Sequence, residues 1–252
     1  MIQVNGIHKS FGDNHVLRGL DLEVAKGESL VILGGSGSGK SVLLRHLVGL
    51  MVPDQGSIVV DSQDIHGLSR KELFRFRRRF GMSFQDGALF DSLSAFENVA
   101  FPIRRWERGI KEKALKERVR ECLAMVGMPS VGDLMPSEMS GGMKRRIGFA
   151  RAIALRPKIL LFDEPTTGLD PIMTSVLNNV IKSLNEQLHT TTITITHDLS
   201  SARTIADRVA MLFQGKVILD AESGAFFQSE NELVRQFVEG RPEGPATDGL
   251  RK

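Results

Sequence analysis

Eight consecutive residues, Gly34-Gly35-Ser36-Gly37-Ser38-Gly39-Lys40-Ser41, restrict what this chain can fold into more than any other stretch. They follow Ser29-Leu30-Val31-Ile32-Leu33, a mostly apolar run with the length of a buried strand. They open into Lys40 to Leu50, which has helical spacing with Val42, Leu43, Leu47 and Leu50 as its apolar face. Glycines let the backbone curl until several N–H groups face one anion, and the following helix points its positive end at the same place. Lys40 is then expected to reach the β- and γ-phosphates of a nucleotide and Ser41 to ligate Mg²⁺. With Val42, the eight residues make up the expected phosphate-binding set.

A second constellation lies far downstream. Ile159-Leu160-Leu161-Phe162 reads as a buried strand, and it ends in Asp163-Glu164. A carboxylate at the carboxyl end of a parallel strand sits at the sheet edge where ligands bind. Asp163 is expected to hold Mg²⁺ through water, and Glu164 to polarise an attacking water as general base.

The remaining pattern is that of an α/β protein with a helical insert. Ile2 to His8 and Leu20 to Ala25 alternate as half-buried strands do. Further strands are expected at Ser57 to Val60, Arg79 to Phe84, Thr191 to Thr196, Arg208 to Phe213 and Lys216 to Asp220, with Gln214-Gly215 as the turn joining the last two. From about Ser94 to Leu155 no strand is convincing, and Lys111 to Val126 reads as an amphipathic helix stopped by Gly127. Pro242, Gly244, Pro245 and Gly249 mark a flexible tail.

Composition excludes several classes. Lys and Arg exceed Asp and Glu by only 33 to 30, too little to suggest nucleic-acid binding. The single Cys122 forbids an internal disulfide and fits a reducing compartment as a buried hydrophobe. No uncharged apolar run approaches the ~18 residues of a membrane span, and Met1-Ile2-Gln3-Val4 enters a strand without a signal peptide. Action at a membrane would therefore mean docking from the cytoplasmic face. The basic run Arg75-Phe76-Arg77-Arg78-Arg79 reads as a solvated helix face with Phe74 or Phe76 buried, and His8, His15, His46, His66 and His189 as structural or surface residues.

Met139-Ser140-Gly141-Gly142-Met143, between the two constellations, completes a set that resembles the ATPase subunits of ABC transporters over about residues 1 to 225. The resemblance implies a P-loop NTPase (RecA-like) core with an antiparallel β subdomain and an inserted α-helical subdomain. It places the ATPase domain over residues 1–240, with the core at about 1–84 and 158–222, the helical subdomain at about 85–157 and the tail at 241–252. It implies ATP and Mg²⁺ as ligands and ATP hydrolysis as the activity. Gln85 matches the family's sensor of Mg²⁺ and γ-phosphate, His197 its γ-phosphate contact, and Asp170 the aspartate that bridges two subunits. Phe11 holds the place of the aromatic residue that stacks on adenine; the chain has no Tyr, and Phe keeps the stacking face. Ser140, Gly141 and Gly142 match the signature motif that closes over ATP held by a second subunit. Met143 departs from the family's commoner Gln, and at least two of Lys144, Arg145 and Arg146 read as a solvated helix face.

The segment after Gln85 carries a narrower likeness. Gly87-Ala88-Leu89-Phe90-Asp91-Ser92-Leu93, Asn98-Val99-Ala100-Phe101-Pro102 and Met139 to Arg146 resemble the Mla/Mce-type lipid transport ATPases. That resemblance implies phospholipid trafficking between inner and outer membrane, and a peripheral place on the cytoplasmic side of the inner membrane. The implied partners are a second copy of the chain, two membrane permease subunits, a Mce-domain lipid-binding protein and a small STAS-domain protein, with no nucleic acid. Two alternatives stand beside it: an importer of a polar solute such as an amino acid, and a soluble ABC ATPase of DNA repair or translation.

Overall fold

The structure, a computed structural model, describes residues 1–247. In chain order it comprises β1 (Ile2–Phe11), β2 (Asn14–Val24), β3 (Ser29–Leu33), α1 (Lys40–Leu47), β4 (Gln55–Val60), β5 (Gln63–Asp64), α2 (Arg70–Arg77), β6 (Phe80–Ser83), α3 (Ala95–Trp106) and α4 (Glu112–Met125). It continues with α5 (Gly141–Ile153), β7 (Ile159–Asp163), α6 (Pro171–Leu188), β8 (Thr191–Thr196), α7 (Leu199–Ile205), β9 (Arg208–Phe213), β10 (Lys216–Glu222), α8 (Ser223–Phe227) and α9 (Glu232–Glu239).

The strands form two sheets. One is antiparallel, in the order β2-β1-β4-β5; the other has the order β10-β9-β3-β8-β7-β6 and is parallel except for β10 at its edge. Every residue of β3 and β8 is buried, as expected for strands covered on both faces. Period-two alternation then sends side chains into two cores. Leu30, Ile32, Ile193, Ile195, Ile159 and Leu161 face the antiparallel sheet and α1, whereas Val31, Leu33, Leu160 and Phe162 face the helices. No strand lies between β6 and β7 among the described residues; α3, α4 and α5 fill that interval and pack on one another.

Local chemistry accounts for the boundaries. Helix α1 stops at Leu47 because Gly49 turns left-handed, at φ 64°, and Arg77 donates to the carbonyls of Val48 and Gly49, closing the helix end. Helix α2 starts at a capping box between Ser69 and Glu72. In the basic run Phe76 is buried, whereas Phe74 stays half exposed and stacks on Trp106 at 4.3 Å. Gln214 and Gly215 both have positive φ, the geometry of the tight turn joining β9 to β10.

Two features differ from the sequence reading. The first two strands are longer than expected and pair as one hairpin from Ile2 to Val24, turning between Phe11 and Asn14. Register shifts at three places in that pairing break the period-two pattern, which hid residues 9–19 from a periodicity argument. Helix α6, unassigned from the sequence, is started by Asp170, whose carboxylate accepts from the amides of Ile172 and Met173, with Pro171 at the first helical position. Its buried Leu177, Ile181 and Leu184 recur at helical spacing, so the signal was present in the sequence. Of the tail expected over 241–252, residues 248–252 lie outside the described residues, while residues 241–247 lie against α9 through the side chain of Gln236.

Candidate nucleotide site

Parallel strands bring their carboxyl ends to one edge of the sheet, and four adjacent ends supply the site. The phosphate-binding loop leaves β3, Gln85 follows β6, Asp163 ends β7 and Glu164 follows it, and His197 follows β8. Residues scattered over more than half of the chain thus meet because strand order, not sequence order, sets the neighbours. A cleft of about 860 Å³ lies over this edge, lined by Gly35 to Val42 of the loop and α1, by Gln85, Glu164 and His197, and by Phe11.

The loop is shaped by its glycines. A Cβ on Gly34 would sit 2.4 Å from the carbonyl oxygen of Leu212, so only glycine fits where β3 passes β9. Gly39 has φ 108°, which no L side chain adopts without strain, and it caps α1 with no side chain of its own. The first amides of α1 are therefore offered to a ligand rather than to a capping group.

Lys40 is nearly buried. Its ammonium donates to the carbonyls of Gly34 at 2.7 Å and Gly35 at 3.0 Å, and lies 3.6 Å from Glu164 Oε1. Burial lowers its pKa, opposed by the carboxylates of Glu164 and Asp163. Glu164 is the hub of the cluster. Its Oε2 lies 2.9 Å from His197 Nδ1 and accepts from Thr167 Oγ1 at 3.0 Å, and its amide donates to the carbonyl of Ile195 at 2.9 Å. Its backbone sits at φ 47°, a conformation costly for glutamate and held here by those contacts. Asp163 has its pKa raised, first by burial and then by the neighbouring Glu164 charge, while a hydrogen bond from Ser41 works the other way.

Ser41, Asp163 and Gln85 are the expected Mg²⁺ ligands. All three offer oxygen, the donor type that suits this hard cation. With Ser41 and Gln85 as direct ligands and Asp163 acting through water, the remaining coordination falls to water and nucleotide phosphate, so the set fits a cation delivered with the nucleotide.

Ser140, Gly141, Gly142 and Asp170 do not line this cleft. Ser140 caps α5, accepting from the amide of Met143, and remains exposed. Asp170 is occupied in its own chain as the cap of α6. Met143 packs against the helical core, which suits a thioether where a glutamine would be polar.

Sequence reasoning missed several residues. Asn14, Val16, Arg45, Thr167 and Phe237 also line the cleft. Arg45 follows Ser41 by four residues on α1, one helical turn, and could have been found by that spacing. Of Lys144, Arg145 and Arg146, at least two of which were expected on a solvated face, Arg145 is the buried one. Its guanidinium donates to the backbone oxygen of Gln85 at 2.7 Å and to that of Thr167, tying α5 to the loops after β6 and β7. Arg146 is partly buried, which lowers its pKa. Arg151, one and a half turns further on, donates to the carbonyls of Gly87 and Ala88, each at 2.7 Å.

Comparison with known proteins places this geometry. The ABC transporter family model matches residues 17–167. The chain is 44% identical over 245 residues to the intermembrane phospholipid transport system ATP-binding protein MlaF of Haemophilus influenzae, covering 97% of this chain and 92% of that protein. It is 43% identical over 244 residues to mkl of Mycobacterium tuberculosis, named as a probable ribonucleotide transport ATP-binding protein, covering 97% of this chain and 68% of the relative. Among solved structures, it superposes with TM-score 0.81 and 31% identity on a dimeric ATP-binding cassette in a post-hydrolysis state bound to ADP and phosphate, covering 88% of this chain and 99% of that one. A cassette from Clostridium perfringens, part of the cbiONQ transporter complex, gives TM-score 0.84 at 31% identity, covering 96% and 95%. The fold is that of a P-loop ATPase cassette, and the chain belongs to the ATP-hydrolysing ATP-binding proteins of the ABC transporter family.

Proposed function

We propose that this chain powers the movement of phospholipid between inner and outer membranes, as a pair of ATPase subunits docked on two permease subunits at the cytoplasmic face of the inner membrane. The observation that carries this reading is the match to MlaF of Haemophilus influenzae over 92% of that protein's length. No helix among the described residues is long and apolar enough to cross a membrane, so the lipid pathway would belong to partner subunits, with a Mce-domain protein and a small STAS-domain protein among them. The residue roles are proposed with it. Lys40 and the amides opening α1 hold the β- and γ-phosphates, and Phe11 stacks on adenine. Glu164 takes the proton of the attacking water, while His197, 2.9 Å away, orients that carboxylate and reaches the γ-phosphate. Ser41, Asp163 and Gln85 would hold Mg²⁺, which when bound neutralises phosphate charge. Ser140, Gly141, Gly142 and Asp170 would serve the cleft of the second copy. The proposed domain division is the ATPase domain over 1–240, with the helical subdomain at about 85–157.

A second reading, a polar-solute transporter, draws on mkl, whose name concerns ribonucleotides. Purification of this chain from native membranes in mild detergent, with mass spectrometry of accompanying proteins and lipids, separates the two. Enrichment of a Mce-domain protein with bound phospholipid is expected. A solute permease without lipid enrichment would overturn the phospholipid reading and leave the ATPase intact.

A further inference from the structure

One wall of the nucleotide cleft comes from the C-terminal end of the chain. Phe237, on α9, lines the cleft together with Phe11, Asn14 and Val16 of the first hairpin. The lining therefore divides by chemistry into charged and polar groups, in the phosphate loop, Lys40, Glu164 and His197, and two aromatic rings from opposite ends of the sequence, Phe11 and Phe237. A nucleoside triphosphate has the same division: charged phosphates at one end and a flat, weakly polar base at the other.

Helix α9 is held in one orientation. Asn231 caps its start, accepting from the amides of Leu233 and Val234, and Gly240 ends it at φ 64°. Val234 is buried, and Phe237 is partly buried against the core on the helical side of the sheet. Gln236, next to Phe237 and only 3% exposed, uses its amide on the segment that follows. Its Nε2 donates to the Arg241 carbonyl and to Thr247 Oγ1, each at 3.3 Å, and its Oε1 accepts from the Ala246 amide at 2.7 Å. Arg241 adds ion pairs to Glu232 and Glu239 at 3.0 Å each. Neighbouring residues on a helix point about 100° apart, so anchoring Gln236 to the tail fixes where Phe237 points.

We propose that Phe237 contacts the base of the bound nucleotide as a second aromatic surface beside Phe11, and that residues 241–247, through Gln236, are the brace that keeps it there. Every base has a flat face, and stacking on an aromatic side chain adds affinity without needing hydrogen-bond readout. Phe237 is thus a nucleotide-binding residue, and Gln236 a positioning residue that acts through it.

Calorimetric titration of the full chain with ATP and, separately, with inorganic tripolyphosphate tests this. For Phe237→Ala and for Phe237→Leu, which keeps apolar volume but removes the ring, ATP affinity is expected to fall roughly fivefold or more while tripolyphosphate affinity stays unchanged. Phe237→Trp should retain ATP affinity, and Gln236→Ala should reproduce a smaller loss with the same selectivity for the base. Unchanged ATP binding in Phe237→Leu, or an equal loss for both ligands, would overturn the proposal. If Phe237→Ala does not fold, the Leu and Trp variants decide the matter alone.

Discussion

Helices α1 and α5 both begin at glycine-rich turns, and what surrounds each start shows that the turn alone does not make a hydrolytic site. Helix α1 starts at Gly39, without a capping side chain, inside a cleft that also holds Lys40, Glu164 and His197. Helix α5 starts at Ser140, whose hydroxyl already accepts from Met143, and Ser140 and Gly141 lie exposed outside that cleft. Each presents partial positive charge at its amides. Only α1 has the cation, carboxylate and imidazole of a hydrolytic site around it; in the proposed pairing α5 would face a nucleotide held by the second copy. Inside the molecule the two are linked by Arg145, which runs from α5 to the backbone of Gln85 and Thr167 beside the cleft.

Glu164 separates the two helix starts by the largest expected effect. Glu164→Gln keeps the shape of the side chain and removes its basicity, so ATP binding should persist while turnover falls by roughly 10²–10⁴. Steady-state phosphate release beside nucleotide binding checks this, and wild-type turnover would remove Glu164 as the base. The next contrast sets Lys40→Ala against Ser140→Ala. The first deletes a charge-assisted phosphate contact and should weaken ATP binding to the isolated chain by about ten- to a hundredfold. The second should leave that binding unchanged and lower turnover only under conditions where two copies associate. Equal loss of single-chain binding would mean that α5 belongs to the same cleft as α1.

The smallest effect concerns what lies beneath each helix. Arg145 on α5 is charged and hydrogen-bonded, whereas His46 on α1 is fully buried, with Nδ1 2.7 Å from the Val42 carbonyl and Nε2 without a hydrogen-bond partner among the described residues. Burial lowers its pKa below 6.5, and the nearby charges of Lys9 and His66 act in the same direction. The unfolded chain therefore binds the proton more readily. The contribution of neutral His46 to stability is complete above about pH 6.5 and is lost as pH falls toward its folded value, by up to ~1.4 kcal/mol per pH unit. Thermal midpoints at pH 7.5 and 5.5 should show a larger drop for the parent than for His46→Asn. The same drop in both would place the acid sensitivity elsewhere.

How much of this was legible in the sequence varied with the distance over which its cause acts. The loop from Gly34 to Ser41, the strand that precedes it, the stop at Gly127 and the Gln214-Gly215 turn follow from local conformational preferences, and the chain spells them out. The first hairpin was half hidden because its register shifts interrupt alternation. Arg145 looked like one more surface charge because nothing local announces that two backbone oxygens, of Gln85 and Thr167, will meet it.

By itself, then, the amino-acid sequence determined the phosphate loop, the acidic pair after an apolar strand, and the likeness to one family of ATPases. Packing of distant segments set Glu164 between Lys40, Thr167 and His197, brought Phe237 to the cleft that Phe11 lines, and left Ser140 outside it. The physical reason is that backbone preference and burial periodicity are short-ranged. Contacts between strand ends and helix starts depend on strand order and packing, which no single stretch of chain encodes.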